Sequence, residues 1–365
     1  MRKKYKNLQF PLIMFLLFGL VGSAPADDKG EIVWSVTYFG EGESDYFHRP
    51  SDIEIDLKQS LVYIADSGNQ RIVVFDLDGN FVRTLGQKGQ GPGEFNNPTG
   101  LCVDDNSRIV VADYQNNRIQ IFSPEGKFLQ NINTKEVRVA DLLLIDGLFY
   151  TISSFGSSGF NISMGLETET QPLVVVLNDS GDVVSEITIA DFPETQPFVR
   201  ALKNRVCLSI SPDRKLFLPF GNMNLIMVFN LQGDRLARFE RELPFKPITP
   251  SLKSQKTSPD GEKSMVQMVA TIDMVSRASH FGPDGKLYIL SYTESLDELM
   301  KGTKDTKDAP APAQRFDVID PKSQKLLRTL SCESGARAFG VLESGRIIYM
   351  HEDDAGELVL KCVQY

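Results

Sequence analysis

The sequence predicts an all-β protein assembled from repeats. Two observations carry that prediction. A unit recurs at an offset of 47 residues. Each unit divides into four short β-branched stretches separated by turn residues, with no helical period. The recurrence is direct. Ile64-Ala65-Asp66-Ser67-Gly68-Asn69-Gln70-Arg71-Ile72-Val73-Val74-Phe75 aligns with Val111-Ala112-Asp113-Tyr114-Gln115-Asn116-Asn117-Arg118-Ile119-Gln120-Ile121-Phe122. Gly79 and Phe81 recur as Gly126 and Phe128. Asp78-Gly79 and Glu125-Gly126 read as tight turns, where glycine supplies a positive φ at little cost.

Written as a motif, the second unit runs Pro98, Gly100-Leu101-x-Val103-Asp104, Val111-Ala112-Asp113-x-x-Asn116-x-Arg118-Ile119, then Phe122-x-x-x-Gly126-x-Phe128. This resembles the NHL repeat, closely over residues 50–133 and in outline elsewhere. The resemblance implies a β-propeller, often six-bladed, that uses one face to bind partners. Six blades can be placed. The first runs from Pro50 to about Gly86 and the second from Pro98 to about Asn133. The third starts near Arg138 and resumes at Leu173–Ile189 after an insertion, and the fourth spans Arg205–Phe239. The fifth spans Arg277–Leu330 with an insertion after Tyr292, and the sixth runs from near Arg337 to the C-terminus. The sixth lacks an outer strand. Ile32–Gly40 resembles Phe81–Gly86, so the N-terminal strand is expected to complete the last blade and close the ring.

Residues 1–26 stand apart. Arg2, Lys3, Lys4 and Lys6 precede the apolar run Phe10–Gly22 and the small-residue site Ala24-Pro25-Ala26. This is the layout of a secretory signal. It predicts a secreted or periplasmic protein with no membrane span after cleavage, and one propeller domain over 27–365, expected as a monomer. Without that segment the chain has 35 basic and 48 acidic side chains, net −13, which argues against nucleic-acid binding. The four cysteines, Cys102, Cys207, Cys332 and Cys362, form no CxxC pair, and Cys332 and Cys362 are left as a candidate disulfide.

Asp66/Arg71 and Asp113/Arg118 flank the turn between second and third strands and read as ion pairs bracing it. Gly86-Gln87-Lys88-Gly89-Gln90-Gly91-Pro92-Gly93 lacks the Lys-Ser/Thr pair and helix of a phosphate loop, and reads as a flexible interblade linker. His48, His280 and His351 occupy non-equivalent positions, against the shared histidine metal site of NHL-like lyases. The likeness to lactonase-type propellers would make Asp52, Glu54 and Asp104 candidate ligands for a divalent ion such as calcium, although no cofactor is required by the sequence.

The candidate ligand-binding residues are Arg138, Arg205, Arg277 and Arg337, which begin the inner strands of four blades. A guanidinium is a planar, permanently charged fork suited to carboxylate or phosphate. Pairing with acids of neighbouring blades is the competing reading. The insertions Ser154–Pro172, Glu240–Ser276 and Glu294–Gln314 fall on the face where those arginines begin. Of these, Lys301–Ala313 reads as mobile, Met265–Val275 as a short helix over the channel, and Phe155, Phe160 and Met164 as an apolar contact surface. The expected function is a binding scaffold for a protein, peptide or anionic small molecule. The alternative is a metal-dependent lactone hydrolase or lyase.

Overall fold

The computed structural model describes residues 29–39, 45–153, 172–188, 206–247, 251–257, 265–271, 273–299 and 312–365. The expected signal segment (residues 1–26), Arg205, Phe155, Phe160, Met164 and nearly all of Lys301–Ala313 lie outside the described residues.

Strand β1 (Glu31–Val36) is followed by six blades. Blade 1 is β2 (Asp52–Asp56), β3 (Leu61–Asp66), β4 (Arg71–Asp76) and β5 (Phe81–Leu85). Blade 2 is β6 (Pro98–Val103), β7 (Ile109–Asp113), β8 (Arg118–Phe122) and β9 (Phe128–Asn133). Blade 3 is β10 (Val139–Ile145), β11 (Leu148–Ser153), β12 (Val174–Leu177) and β13 (Val183–Ile187). Blade 4 is β14 (Ser209–Ile210), β15 (Leu216–Pro219), β16 (Leu225–Phe229) and β17 (Arg235–Glu240). A separate hairpin follows, β18 (Ser251–Thr257) with β19 (Met265–Thr271). Blade 5 is β20 (Ser276–Phe281), β21 (Leu287–Tyr292), β22 (Gln314–Asp320) and β23 (Lys325–Ser331). Blade 6 has β24 (Ala338–Val341), β25 (Arg346–Glu352) and β26 (Leu358–Gln364), with β1 as its fourth strand. The protein is thus an all-β, six-bladed propeller of four-stranded antiparallel blades.

Strand period explains the packing. Successive side chains point to opposite faces of a blade. On β3, Val62 and Ile64 therefore enter the apolar wedge shared with blade 6, while Tyr63 and Ala65 enter the wedge shared with blade 2. The same alternation builds a wedge at every seam. Cys102, Val110 and Phe149 sit between blades 2 and 3, Tyr150, Val174 and Leu218 between blades 3 and 4. Phe217, Val228 and Ile289 fill the seam of blades 4 and 5, and Phe316, Phe339 and Tyr349 that of blades 5 and 6.

The ring closes through β1, which pairs antiparallel with β26, Trp34 lying opposite Cys362. Trp34 also reaches blade 1. Its indole N–H donates to the Leu77 carbonyl at 3.0 Å. The ring covers Gly79, whose φ is +84° and where an added Cβ would meet the indole at 2.7 Å.

Asp66 and Asp113 do more than pair with arginine. Asp66 accepts from the His48 backbone N–H at 2.7 Å, Asn69 Nδ2 at 2.9 Å and Arg71 Nε at 2.9 Å. Asp113 accepts from the Asn96 N–H, Asn116 Nδ2 and Arg118 Nε at 2.7, 2.8 and 2.7 Å. Each carboxylate thus ties its turn to the segment arriving from the previous blade. The glycine-rich linker, expected to be flexible, is pinned. Arg118 donates to the carbonyls of Gln90, Gly91 and Glu94.

Blade 5 rearranges this brace. Ser291 stands opposite Arg315 as Asp113 stands opposite Arg118. The carboxylate comes instead from Asp317, which takes Arg315 Nε and Arg241 Nη1, both at 2.7 Å. Arg241 and Asp317 are 2% and 1% exposed. Burial pulls the Arg241 guanidinium below its usual pKa, and Asp317 opposes that.

One expectation is corrected, and one pairing that the sequence left open is decided. Met265–Val275 is not a helix, since Met265–Thr271 is a strand paired with Ser251–Thr257. Ser258-Pro259-Asp260-Gly261, residues of tight turns, separate the two runs and favour a hairpin. Cys332 and Cys362 are free thiols packed in different wedges, so no disulfide joins them.

Two variants test this framework. Trp34→Ala removes a latch between blades 6 and 1 and should cost about 1–3 kcal/mol, Trp34 being only partly buried. An unchanged denaturation midpoint would contradict ring closure as a stabilising contact. Asp317→Asn leaves buried guanidinium charge uncompensated and should cost about 3–5 kcal/mol by denaturant unfolding. A cost below that of an exposed ion pair would mean that Arg241 is hydrated.

Candidate binding site at the mouth of the channel

The inner strands of all six blades start at one end of the propeller, where the interblade linkers and second-to-third-strand turns also lie. Arg138 and Arg337 immediately precede β10 and β24, and Arg277 is the second residue of β20. Arg205 lies outside the described residues.

The described arginines do not all converge. The Arg138 guanidinium lies 5.9 Å from the Tyr114 ring centroid, turned toward blade 2. Arg277 and Arg337 meet at the seam of blades 5 and 6, Arg277 Nε donating to the Arg337 carbonyl at 3.0 Å. Arg337 is paired with Glu352 through Nη2. Arg277 has neutral partners, that carbonyl and the Tyr292 hydroxyl, 3.3 Å from Nη1. Among the described residues it has no carboxylate partner. Its exposure has a local cause. The register of β20 and β21 jumps between Ser276 and Ala278, so Arg277 is the extra residue of a β-bulge. Bulges re-aim a side chain out of the regular alternation.

A second group of charges lies on the inner strands of blades 1 and 3. Asp52 is opposite Ala65, and Asp141 is opposite Ile152, at equivalent points of blades 1 and 3. Between them blade 2 has Gly100, where an added Cβ would come within 2.8 Å of the Asp141 Cα. Asp52 accepts from the Leu101 N–H at 2.8 Å and the Ile53 N–H at 2.9 Å, so its carboxylate bridges two blades. Burial pushes its pKa up to about 6. Burial, then the charge of Asp52, pushes Asp141 up to about 8. Glu54, next on the same face of β2, is raised well above the carboxylate range by burial and then by Asp52.

Asp104 does not join them. Its carboxylate accepts from the N–H groups of Asn106 and Arg108 and from Arg108 Nε at 2.7 Å, closing the turn after β6. Asp141 was not singled out by spacing, because the bulge between Val139 and Asp141 shifts it one residue from the place Asp52 occupies after Pro50. The divalent ion implied by the lactonase likeness does not fit these residues. Both Asp52 oxygens are engaged by backbone N–H groups. Among the described residues no three His, Cys, Asp or Glu side chains gather to hold a metal. The histidines also lie apart. His48 is in a linker, His351 is on β25, and His280 is packed edge-on against Phe339 at 4.9 Å, with burial taking its pKa down to about 4.

These carboxylates predict a pH dependence. Their folded-state pKa values exceed the unfolded reference of 3.8 for Asp, so the folded protein binds more protons between that value and about pH 8. Their contribution to stability is fully present below the unfolded value and is lost as pH rises through 6 to 8. Denaturation midpoints should therefore fall from about pH 5 to about pH 8, and Asp141→Asn should flatten the slope. An identical slope in that variant would remove Asp141 as its source.

Similarity to known proteins agrees with this architecture. NHL repeat-containing protein 2 of Gallus gallus is 35% identical over 80 residues, which are 20% of this chain and 11% of that protein. A member of the DUF4221 family from Bacteroides vulgatus superposes with a TM-score of 0.56 at 11% identity, covering 92% of this chain and 97% of that one. A proposed exported protein of Bacteroides fragilis gives 0.53 at 12% identity, covering 94% and 97%. A gluconolactonase of Xanthomonas campestris gives 0.51 at 14% identity, covering 93% and 97%. At such identities these likenesses show the fold alone. Residues 52–246, more than half of the sequence, match the domain of unknown function DUF4934, and the chain belongs to that family.

Proposed function

We infer that the protein is a secreted or periplasmic binding scaffold whose channel mouth takes an anionic ligand, a carboxylated small molecule or an acidic peptide. The observation that carries this reading is Arg277, a guanidinium held out on a bulge by a carbonyl and a phenol, without a carboxylate partner among the described residues. A ligand carboxylate would supply the missing charge, and Arg337, already shared with Glu352, stands beside it. Export is supported by the leader-like residues 1–26. The second reading is a hydrolase of the gluconolactonase kind, favoured by the grouped carboxylates Asp52, Glu54 and Asp141.

A thermal-shift screen of the chain from residue 27 separates the two. It uses carboxylated and phosphorylated sugars, acidic peptides, divalent metals and a chelator. A ligand at about 100 times its dissociation constant stabilises by about 2.7 kcal/mol. The expected result is an anion-specific shift that Arg277→Ala/Arg337→Ala abolishes. A shift with metal and a loss with chelator, unaffected by those substitutions, would replace the scaffold reading with the hydrolase.

A further inference from the structure

A cleft of about 320 Å³ lies away from the channel, on the outer part of blade 2. That is within the roughly 300–1,000 Å³ range of small-molecule sites. Three segments wall it: the linker at Gln90, the turn at Gln115, Asn116 and Asn117, and strand β9 at Asn131 and Asn133. Arg118 completes the lining. Apart from that arginine, every lining side chain is a primary amide.

The cleft has little net charge to offer. Arg118 pairs with Asp113 and gives three further N–H bonds to linker carbonyls. No carboxylate lines it. The amides, in contrast, have capacity left. Gln90, Gln115, Asn131 and Asn133 are exposed. Asn117 Oδ1 is buried with no hydrogen-bond partner. A buried acceptor without a donor is costly and uncommon in a folded protein.

We propose that this amide cleft is a binding site for an uncharged polyhydroxylated ligand, a saccharide. A primary amide presents donors and an acceptor side by side, which matches adjacent sugar hydroxyls. A sugar hydroxyl would also donate to Asn117 Oδ1. Strand addition by a peptide is the less suitable use. Ile132 packs into the wedge of blades 2 and 3, so Asn131 and Asn133 project from the opposite face of β9, whereas an added strand would need its backbone edge. No aromatic ring lines the cleft, so affinity rests on hydrogen bonds and is expected in the millimolar range.

Titration calorimetry of the whole protein with maltose, cellobiose, lactose and chitobiose tests the site, with glucuronate and tetra-alanine as competitors. The expected result is binding of at least one disaccharide. Asn131→Ala/Asn133→Ala, exposed positions, should weaken it on the order of tenfold without changing the melting temperature. Asn117→Gly, which keeps the left-handed backbone at φ 49°, should weaken it similarly. Arg277→Ala should leave it unchanged, which separates this site from the channel mouth. No disaccharide binding, binding that survives the Asn131/Asn133 substitutions, or displacement by tetra-alanine would each overturn the proposal.

Discussion

Each blade presents apolar side chains on both of its faces along its middle two strands, so neither face can be left to water. A linear stack would expose two of these faces, one at each end. The ring removes both ends, because the face of β3 carrying Val62 and Ile64 meets Ile348 and Met350 of blade 6. That seam depends on β1 being returned to β26, since blade 6 has no fourth strand of its own. The position of every inner-strand residue, and hence of every charge near the channel, follows from this closure.

The polar brace then fixes one end of the ring. Apolar wedges set the distance between blades but are indifferent to the path of the linkers. Asp66 and Asp113 supply that information by accepting N–H groups from the incoming segment and from the following turn at once. Where the sequence leaves the repeat, the chemistry persists with new residues. Asp317 and Arg241 replace the usual pair in blade 5, and Arg241 comes from the segment between blades. Buried ion pairs of this kind add little net stability over apolar packing, yet losing one partner is expensive.

Much of the architecture was legible in the sequence because it follows from period and spacing. The 47-residue offset, the strand alternation and the likeness of Ile32–Gly40 to an outer strand led to six blades and their closure. The site was less legible because it depends on bulges. A bulge adds one residue and turns a side chain to another face, which counting from Pro50 or Pro98 cannot anticipate. Counting places Arg277 at a strand start, but not the neutral partners that the bulge gives it. Asp141 was hidden by the bulge after Val139. The amide cleft had no linear signal, since Gln90, Asn117 and Asn133 come together only when Arg118 holds the linker against the turn.

Two groups of charges remain at the inner strands, apart from Arg138 at the start of blade 3. The acids Asp52, Glu54 and Asp141 belong to blades 1 and 3, while Arg277 and Arg337 belong to blades 5 and 6. The two groups differ in readiness to bind. The acids are half-buried and turn oxygens toward backbone N–H groups, and burial favours their protonated forms. Arg277 is exposed and presents the planar donor fork of a guanidinium. An arriving anion therefore meets a permanent charge already extended into solvent, whereas a cation would first have to displace protons and reorganise Asp52. That asymmetry in cost is why we propose the seam of blades 5 and 6, at Arg277, as the binding surface.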